Sequence, residues 1–414
     1  MTKIFDLIRD IFKRRRVGLV QDPKVLETLE VALARDPRNP ELLFAAARAH
    51  VAAGRRAEAI SRCRTALDIQ PSLSAASILL ASMLRQAYNT DEAIQVLRRA
   101  RAAAPDDPEV LARLRQLLGS GLVPMWHFSM MNDAIRNQAY QTAIGKMVKP
   151  GDHVLEIGAG SGLLAMLAAR AGAVHVTSCE MIEPIADKAR KIIARNGYAN
   201  RISILAKEST ALAIPQDLAE PADVLVAEII ASDLLGEGML DSYDDARARL
   251  LKPGARILPC GAGVMAQLAG SDELERFVRV GEVAGFDLRD FNEFTPVSCN
   301  PEDLGVSLTM FSAPFEVFEY DLQSARRIVP ERKTVAVNVT ASGLCHGVLQ
   351  WIWLDLAPGV RLENAPSEST GSVRHGHWGT VLHTFAEPLQ VRQGQSLQLV
   401  VAHDRNSLMF YHAT

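Results

Sequence analysis

The chain has 414 residues and a net charge of −3, with 48% hydrophobic and 22% charged residues, which leaves room for two or three domains at ~100 to 200 residues each. That size excludes a disulfide-stapled miniprotein, and no run approaches the ~18 uninterrupted apolar residues of a membrane span, so a soluble chain is expected. Residues 1–120 hold 20 Lys and Arg against 14 Asp and Glu, and the remainder holds 25 against 34; this disfavours a globally basic nucleic-acid binder and suits a cationic substrate on the second part.

The opening Met1–Arg16 segment places Ile4, Phe5, Ile8, Ile11 and Phe12 at helical spacing before four consecutive bases. It lacks the continuous apolar core of a secretory signal. A helix packing on the next repeat is expected there, with a membrane-surface or targeting helix as the alternative.

Pro37, Pro71 and Pro105 stand 34 residues apart, and Ala32, Ala66 and Ala100 keep the same spacing. Ala57-Glu-Ala-Ile60 recurs as Asp91-Glu-Ala-Ile94. A 34-residue period with small residues at fixed places is the helix-turn-helix tetratricopeptide pattern, in which paired helices approach closely and proline breaks the chain between units. Leu43 and Ser77 occupy the place of the usual aromatic. Gly119, Gly121 and Pro124 then mark a linker.

From about residue 150 the pattern changes to short β-branched runs alternating with helical stretches. The runs 153–157, 175–179, 201–206, 223–227 and 256–260 predict a doubly wound parallel sheet. After Pro259, alternating Val335, Val337 and Val339, then 348–356 and 397–402, predict an antiparallel barrel or sandwich. The five cysteines (63, 179, 260, 299, 345) are scattered without a C-x-x-C pair, pointing to a reducing, cytoplasmic setting with neither disulfides nor a structural zinc site.

Glu156-Ile-Gly158-Ala-Gly160-Ser-Gly162 runs from the first predicted strand into a glycine-rich turn and a helix, where backbone amides can approach a ligand closely. The dinucleotide fingerprint fails because its last glycine position is Leu163. E-x-G-x-G-x-G is instead the pattern of S-adenosyl-L-methionine-dependent methyltransferases, and Glu180 at the tip of the next strand is placed to accept ribose hydroxyls.

Three further elements, Trp126–Tyr140, Glu228–Leu240 with glutamates nine apart, and Gly376-His377-Trp378, resemble the protein arginine methyltransferases over residues 124–414. The upstream repeats are similar to those of members that carry tetratricopeptide repeats. The resemblance implies three domains: all-α repeats over 1–118, an α/β Rossmann-like methyltransferase domain over 119–259, and a C-terminal antiparallel β-barrel over 260–414. It implies S-adenosyl-L-methionine as cofactor. Arg136 would meet the cofactor's carboxylate, and His127 and Met130 would lie near its sulfonium. Glu156, Gly158, Gly160 and Gly162 would hold its methionyl part, Glu180 its ribose, and Ser209 and Thr210 its adenine. Glu228 and Glu237 would grip the arginine, and His377 with Asp133 would take the proton; no metal is expected. Charge-assisted, fork-like hydrogen bonds from two carboxylates would orient a guanidinium that is otherwise a poor nucleophile. The expected acceptor is an arginine-containing protein, with a protein partner on the repeats, no nucleic acid, and a homodimer. A methyltransferase of a small molecule or nucleic acid, and a repeat scaffold with an inactive methyltransferase fold, are the alternatives.

Overall fold

The structure, a computed structural model, describes residues 23–87, 89–119, 125–324, 326–366 and 376–413. The basic opening segment, the linker residues Gly121 and Pro124, and His375 lie outside them. The chain divides into an N-terminal unit, Met1–Pro124, and a C-terminal unit, Met125–Thr414. Among the described residues no helix is long and apolar enough to cross a membrane.

The N-terminal unit is an array of helices: α1 (Pro23–Arg35), α2 (Pro40–Ala52), α3 (Arg56–Ile69), α4 (Ser74–Gln86), α5 (Thr90–Ala103) and α6 (Pro108–Gly119). Asn39 starts α2 by accepting the N–H groups of Glu41 and Leu42 at 3.1 Å, with Pro40 in the first turn, where its missing N–H costs nothing. The periodic alanines are the packing contacts: Ala59, Ala66 and Ala93 are fully buried and Ala100 nearly so. Leu43 and Ser77, which stand where an aromatic was expected, are each 1% exposed.

The C-terminal unit begins with α7 (Trp126–Asn132) and α8 (Ala134–Met147). Then follow β1 (His153–Ile157), α9 (Leu163–Ala171), β2 (His175–Cys179), α10 (Glu183–Arg195), β3 (Ile202–Leu205), β4 (Ala222–Ala227), α11 (Met239–Arg249) and β5 (Leu251–Leu258). The five strands pair in the order β3-β2-β1-β4-β5, all parallel. The order reverses between β1 and β4, and the carboxyl ends at such a reversal form a crevice. The fifth strand starts at Leu251 rather than at the expected Arg256. Pro253 and Gly254 lie inside an irregularity of the pairing: Leu251 pairs with Ala222 and Arg256 with Val224.

After β5 the sheets are antiparallel. Strands β6 (Gly261–Gly270), β7 (Glu282–Val283), β8 (Phe286–Asp287), β9 (Ser298–Cys299), β10 (Thr309–Met310), β11 (Phe315–Asp321), β12 (Glu331–Asn338), β13 (Gly343–Ala357), β14 (Val360–Glu363), β15 (Val381–Val391), β16 (Ser396–His403) and β17 (Leu408–His412) form three sheets. The largest follows β10-β6-β13-β15-β9, with β11 on β6 and β14 on β13; β12-β16-β17 and β7-β8 are separate. One continuous core joins the parallel sheet to the antiparallel ones, from Leu155 and Tyr243 to Val348 and Leu399. Arg405, just beyond β16, reaches Asp241 and Asp244 of α11 at 2.7 Å each.

Replacing Ala66 with Leu would add three carbons to a fully packed helix interface. Urea unfolding followed by helical circular dichroism should show a loss of about 1–3 kcal/mol, the usual cost of overpacking.

Candidate functional site

The site begins where β1 ends. Gly158 has φ of +85°, and a Cβ there would lie 2.8 Å from Cγ2 of Ile229, the residue after Glu228. Only glycine both tolerates that dihedral and lets the turn touch the loop after β4. The N–H groups of Gly158 and Ala159 donate to the carbonyl of Cys179 at the end of β2. Glu180 stands next to it: one carboxylate oxygen accepts the N–H of Gly160 at 3.1 Å and the other that of Ile182 at 3.0 Å.

Glu156 lies behind this turn. Its side chain accepts the N–H of Ala165 at 3.0 Å and the hydroxyl of Ser178, and the residue is 1% exposed. Burial pushes it up to about 8, although both hydrogen bonds work against that. Gly162 caps α9 at φ +79° and packs on Ile193. Neither residue is among those that line the cavity; both lie beside the turn that Gly158 and Gly160 form.

A second group is electrostatic. Asp133 caps α8 by accepting the N–H of Arg136 at 2.9 Å. Its other oxygen accepts the backbone N–H of His377 at 3.1 Å and lies 3.3 Å from Nδ1 of that ring. Nη2 of Arg136 donates to Glu228 Oε2 at 2.5 Å, and Nε2 of His377 stands 3.6 Å from Glu228 Oε1. All four side chains are buried, at 4–7% exposure. Asn137 accepts from Arg136 Nη1 at 2.9 Å, and the Tyr140 ring lies under the guanidinium at 4.9 Å. Burial works to raise Asp133, but the N–H groups of Arg136 and His377 and the His377 ring outweigh it and hold the carboxyl below its ordinary value. Gly376 leaves room for this: a Cβ there would come within 3.0 Å of Asp133 Oδ2.

These two groups flank a cavity of about 560 Å³. Gly158, Gly160 and Glu180 line one side, Ser209 and Thr210 another. His127, Met130 and His377 face it from the remaining sides, together with Glu228 and Glu237. Glu237 is exposed at the mouth, yet desolvation by the protein around it, then the charges of Glu228 and Asp233, push it up to about 7. Arg136 and Asp133 lie outside the lining. The guanidinium expected on the cofactor's carboxylate is paired, through Nη2, with a glutamate expected on the acceptor. Sequence reasoning passed over Asn137 and Tyr140, although they lie one and four residues from Arg136 on the same helix. It also passed over the indole of Trp378, whose N–H donates to the Ile230 carbonyl at 2.7 Å and anchors the acidic loop.

A profile of ribosomal protein L11 methyltransferases matches residues 140–266, and a tetratricopeptide-repeat profile matches 24–83 and 51–118. Arginine N(omega)-methyltransferase of Streptomyces achromogenes subsp. streptozoticus is 38% identical over 278 residues, which are 67% of this chain and 75% of that protein. The chain belongs to the arginine methyltransferase family. Protein arginine N-methyltransferase 7 of rice is 31% identical over 69% of this chain, and that of Drosophila willistoni 32% over 68%. The matches span 44% and 47% of those two proteins, less than half their length. The fold matches the Trypanosoma brucei PRMT1 enzyme-prozyme complex with AdoHcy at a TM-score of 0.58 and 18% identity, over 70% of this chain and 98% of that one. Arabidopsis thaliana protein arginine methyltransferase 10 matches at 0.54 and 23%, over 68% and 88%. The methyl donor of this arginine methyltransferase is S-adenosyl-L-methionine. The cavity suits it: glycines leave backbone room beside a carboxylate at the end of β2, and the buried Arg136 Nε has no hydrogen-bond partner.

Glu156→Ala would orphan the N–H of Ala165 and should cost about 1–3 kcal/mol. Glu156→Gln keeps both contacts and should fold normally. The native carboxyl keeps its proton to about 8, whereas the unfolded one loses it near 4.5. Stability in the parent should therefore fall as pH rises between those values, and the Gln variant should lack that contribution. Melting temperatures across this range check both.

Proposed function

We propose that this chain transfers a methyl group from S-adenosyl-L-methionine to a guanidinium nitrogen of arginine in a protein partner. The observation that carries this reading is the pair of carboxylates, Glu228 and Glu237, on one cavity beside the glycine turn, with Glu237 driven up to about 7 partly by Glu228. Two facing carboxylates repel unless a cation lies between them, and a guanidinium supplies that cation with matching fork geometry.

When bound, the cofactor supplies an electrophilic methyl on a sulfonium. The chain's residues bind and orient. Gly158 and Gly160 leave room for the methionyl part, with Glu156 and Gly162 setting the turn from below. Glu180 takes the ribose hydroxyls, and Ser209 and Thr210 lie at the adenine end. His127 and Met130 stand beside the sulfonium, and Arg136 takes the carboxylate. Glu228 and Glu237 hold the acceptor guanidinium and bias its charge away from the attacking nitrogen; much of the rate comes from that alignment. The His377–Asp133 pair receives the proton, with Asp133 kept ionised by its two backbone N–H donors.

Free arginine as acceptor is a second reading, favoured by the relative at 38% identity, which is named an arginine rather than a protein arginine methyltransferase. Labelled donor with free arginine in one arm and an arginine peptide in the other separates the two.

The division into 1–118, 119–259 and 260–414 belongs to this proposal, as does a cytoplasmic setting, supported by five free cysteines. So does a homodimer: Phe286, Phe291, Phe294 and Val297 are 70%, 68%, 71% and 82% exposed, more apolar surface in one segment than a lone soluble face usually carries. The repeats hold a protein partner.

Glu228→Gln and Glu237→Gln should each lower the methylation rate by about 100-fold or more, the usual cost of removing a preorganised charge, while calorimetry shows cofactor affinity nearly unchanged for Glu237→Gln. Near-parent rates in both variants would sink the reading. Because Glu237 must be ionised to hold the guanidinium, KM for an arginine peptide should fall as pH rises through about 7, and Glu237→Gln should flatten that profile. Adenosylhomocysteine should raise the melting temperature of the full chain by linkage. Arg136→Ala should lower the starting value and remove most of the rise; an undiminished rise would take Arg136 out of cofactor binding.

A further inference from the structure

The N-terminal unit has a cavity of its own, about 640 Å³, lined mainly by the first helix of each repeat, α2, α4 and α6, with Leu97 from α5. The lining follows the 34-residue period. Phe44 and Ile78 are equivalent positions one repeat apart, as are Leu79 and Arg113. One face of successive helices therefore forms a continuous groove with an apolar floor.

Its charge is one-sided. Among the described lining residues are three arginines, Arg48, Arg85 and Arg113, against one carboxylate, Glu109. Arg85 and Arg113 are exposed, and Arg113 also donates to the side chain of Gln116 at 3.3 Å. Arg48 is half-buried, and that burial lowers its pKa. Low-dielectric walls strengthen the attraction of such a groove for an anion and its repulsion of a cation.

This runs against the simplest picture of the repeats. A segment rich in the arginines to be methylated would bring positive charge to a groove already carrying it. The pocket that suits such a segment is the acidic one at Glu228 and Glu237.

We propose that the repeat groove takes an extended peptide segment in which carboxylates alternate with apolar side chains, and that it does not take the arginine-bearing segment. The inference rests on the reading that the repeats hold a protein partner, and it names that partner's chemistry. Carboxylates meet the exposed Arg85 and Arg113 in fork-like, charge-assisted pairs, and the apolar side chains cover Ile78 and Leu79. A protein selected this way carries an acidic stretch in addition to its arginine, or it is an acidic adaptor that brings the arginine-bearing substrate.

Fluorescence anisotropy on the full chain tests it with three short labelled peptides that contain no arginine: leucine alternating with Asp and Glu, with Ser and Gln, and with Lys. The acidic peptide should bind saturably and more tightly than the neutral one, and should weaken as salt rises past roughly 0.15 M. Arg85→Glu combined with Arg113→Glu, both at exposed positions, should weaken acidic-peptide binding by about 10-fold or more. Circular dichroism should report an unchanged fold, and the methylation rate on a free arginine peptide should be unchanged. Equal binding of the acidic and neutral peptides would overturn the proposal, as would acidic binding indifferent to the double variant. Loss of self-association in the double variant, without acidic-peptide binding in the parent, would assign the groove to a second copy and overturn it as well. Because the peptides lack arginine, these outcomes are independent of the methylation assay. Failure of the arginine methyltransferase reading would appear only in that assay.

Discussion

The buried ion pair between Arg136 and Glu228 is the constraint on which the site depends. Both side chains are almost fully enclosed, and charges so placed are tolerable only while each satisfies the other. Removing one partner from such a pair costs about 3–5 kcal/mol, because the other is left buried and uncompensated. The pair therefore fixes α8 against the end of β4. Asp133 then uses one oxygen to start the helix that carries Arg136 and the other to hold His377, and the His377 ring returns to Glu228. The result is a closed circuit of four side chains drawn from positions 133, 136, 228 and 377.

That circuit explains why the antiparallel sheets are needed. The acidic loop has no secondary structure of its own over most of its length, and its backbone is tied down from outside. Trp378 donates to the carbonyl of Ile230, and the Gln350 amide on β13 donates to that of Ser232 at 3.1 Å. The glycine turn touches the same loop through Gly158 and Ile229. Glu228 is thus positioned by contacts from β1, α8, β13 and the segment before β15. Glu237, nine residues on, is exposed and is pushed upward by desolvation first and then by the charges of Glu228 and Asp233. One carboxylate is thus buried in an ion pair and the other is exposed.

Charge also separates the two units chemically. The first part of the chain is basic and presents arginines in its groove, whereas the second is acidic and presents carboxylates in its cavity. A substrate with one kind of charge throughout would satisfy only one of them.

The sequence alone determined whatever depends on local pattern. The 34-residue spacing of prolines and alanines disclosed the repeats because each alanine must fit the same helix contact. The strands ending at Ile157, Cys179 and Ala227 were legible because fully buried parallel strands leave short apolar runs. E-x-G-x-G-x-G and the glutamates nine apart marked the two halves of the cavity. What remained hidden is what requires two distant segments to meet. The fifth strand starts at Leu251 rather than at the expected Arg256, because Leu251 also finds a partner on β4. Glu156 and Glu180 belong to the same kind of signal, yet strand alternation and the path of the turn bury the first and present the second to the cavity. That Arg136 meets Glu228, 92 positions away, and Asp133 meets His377, 244 away, was decided by tertiary structure: charge pairing at these depths is set by which buried surfaces close on each other, and no spacing along the chain encodes that distance.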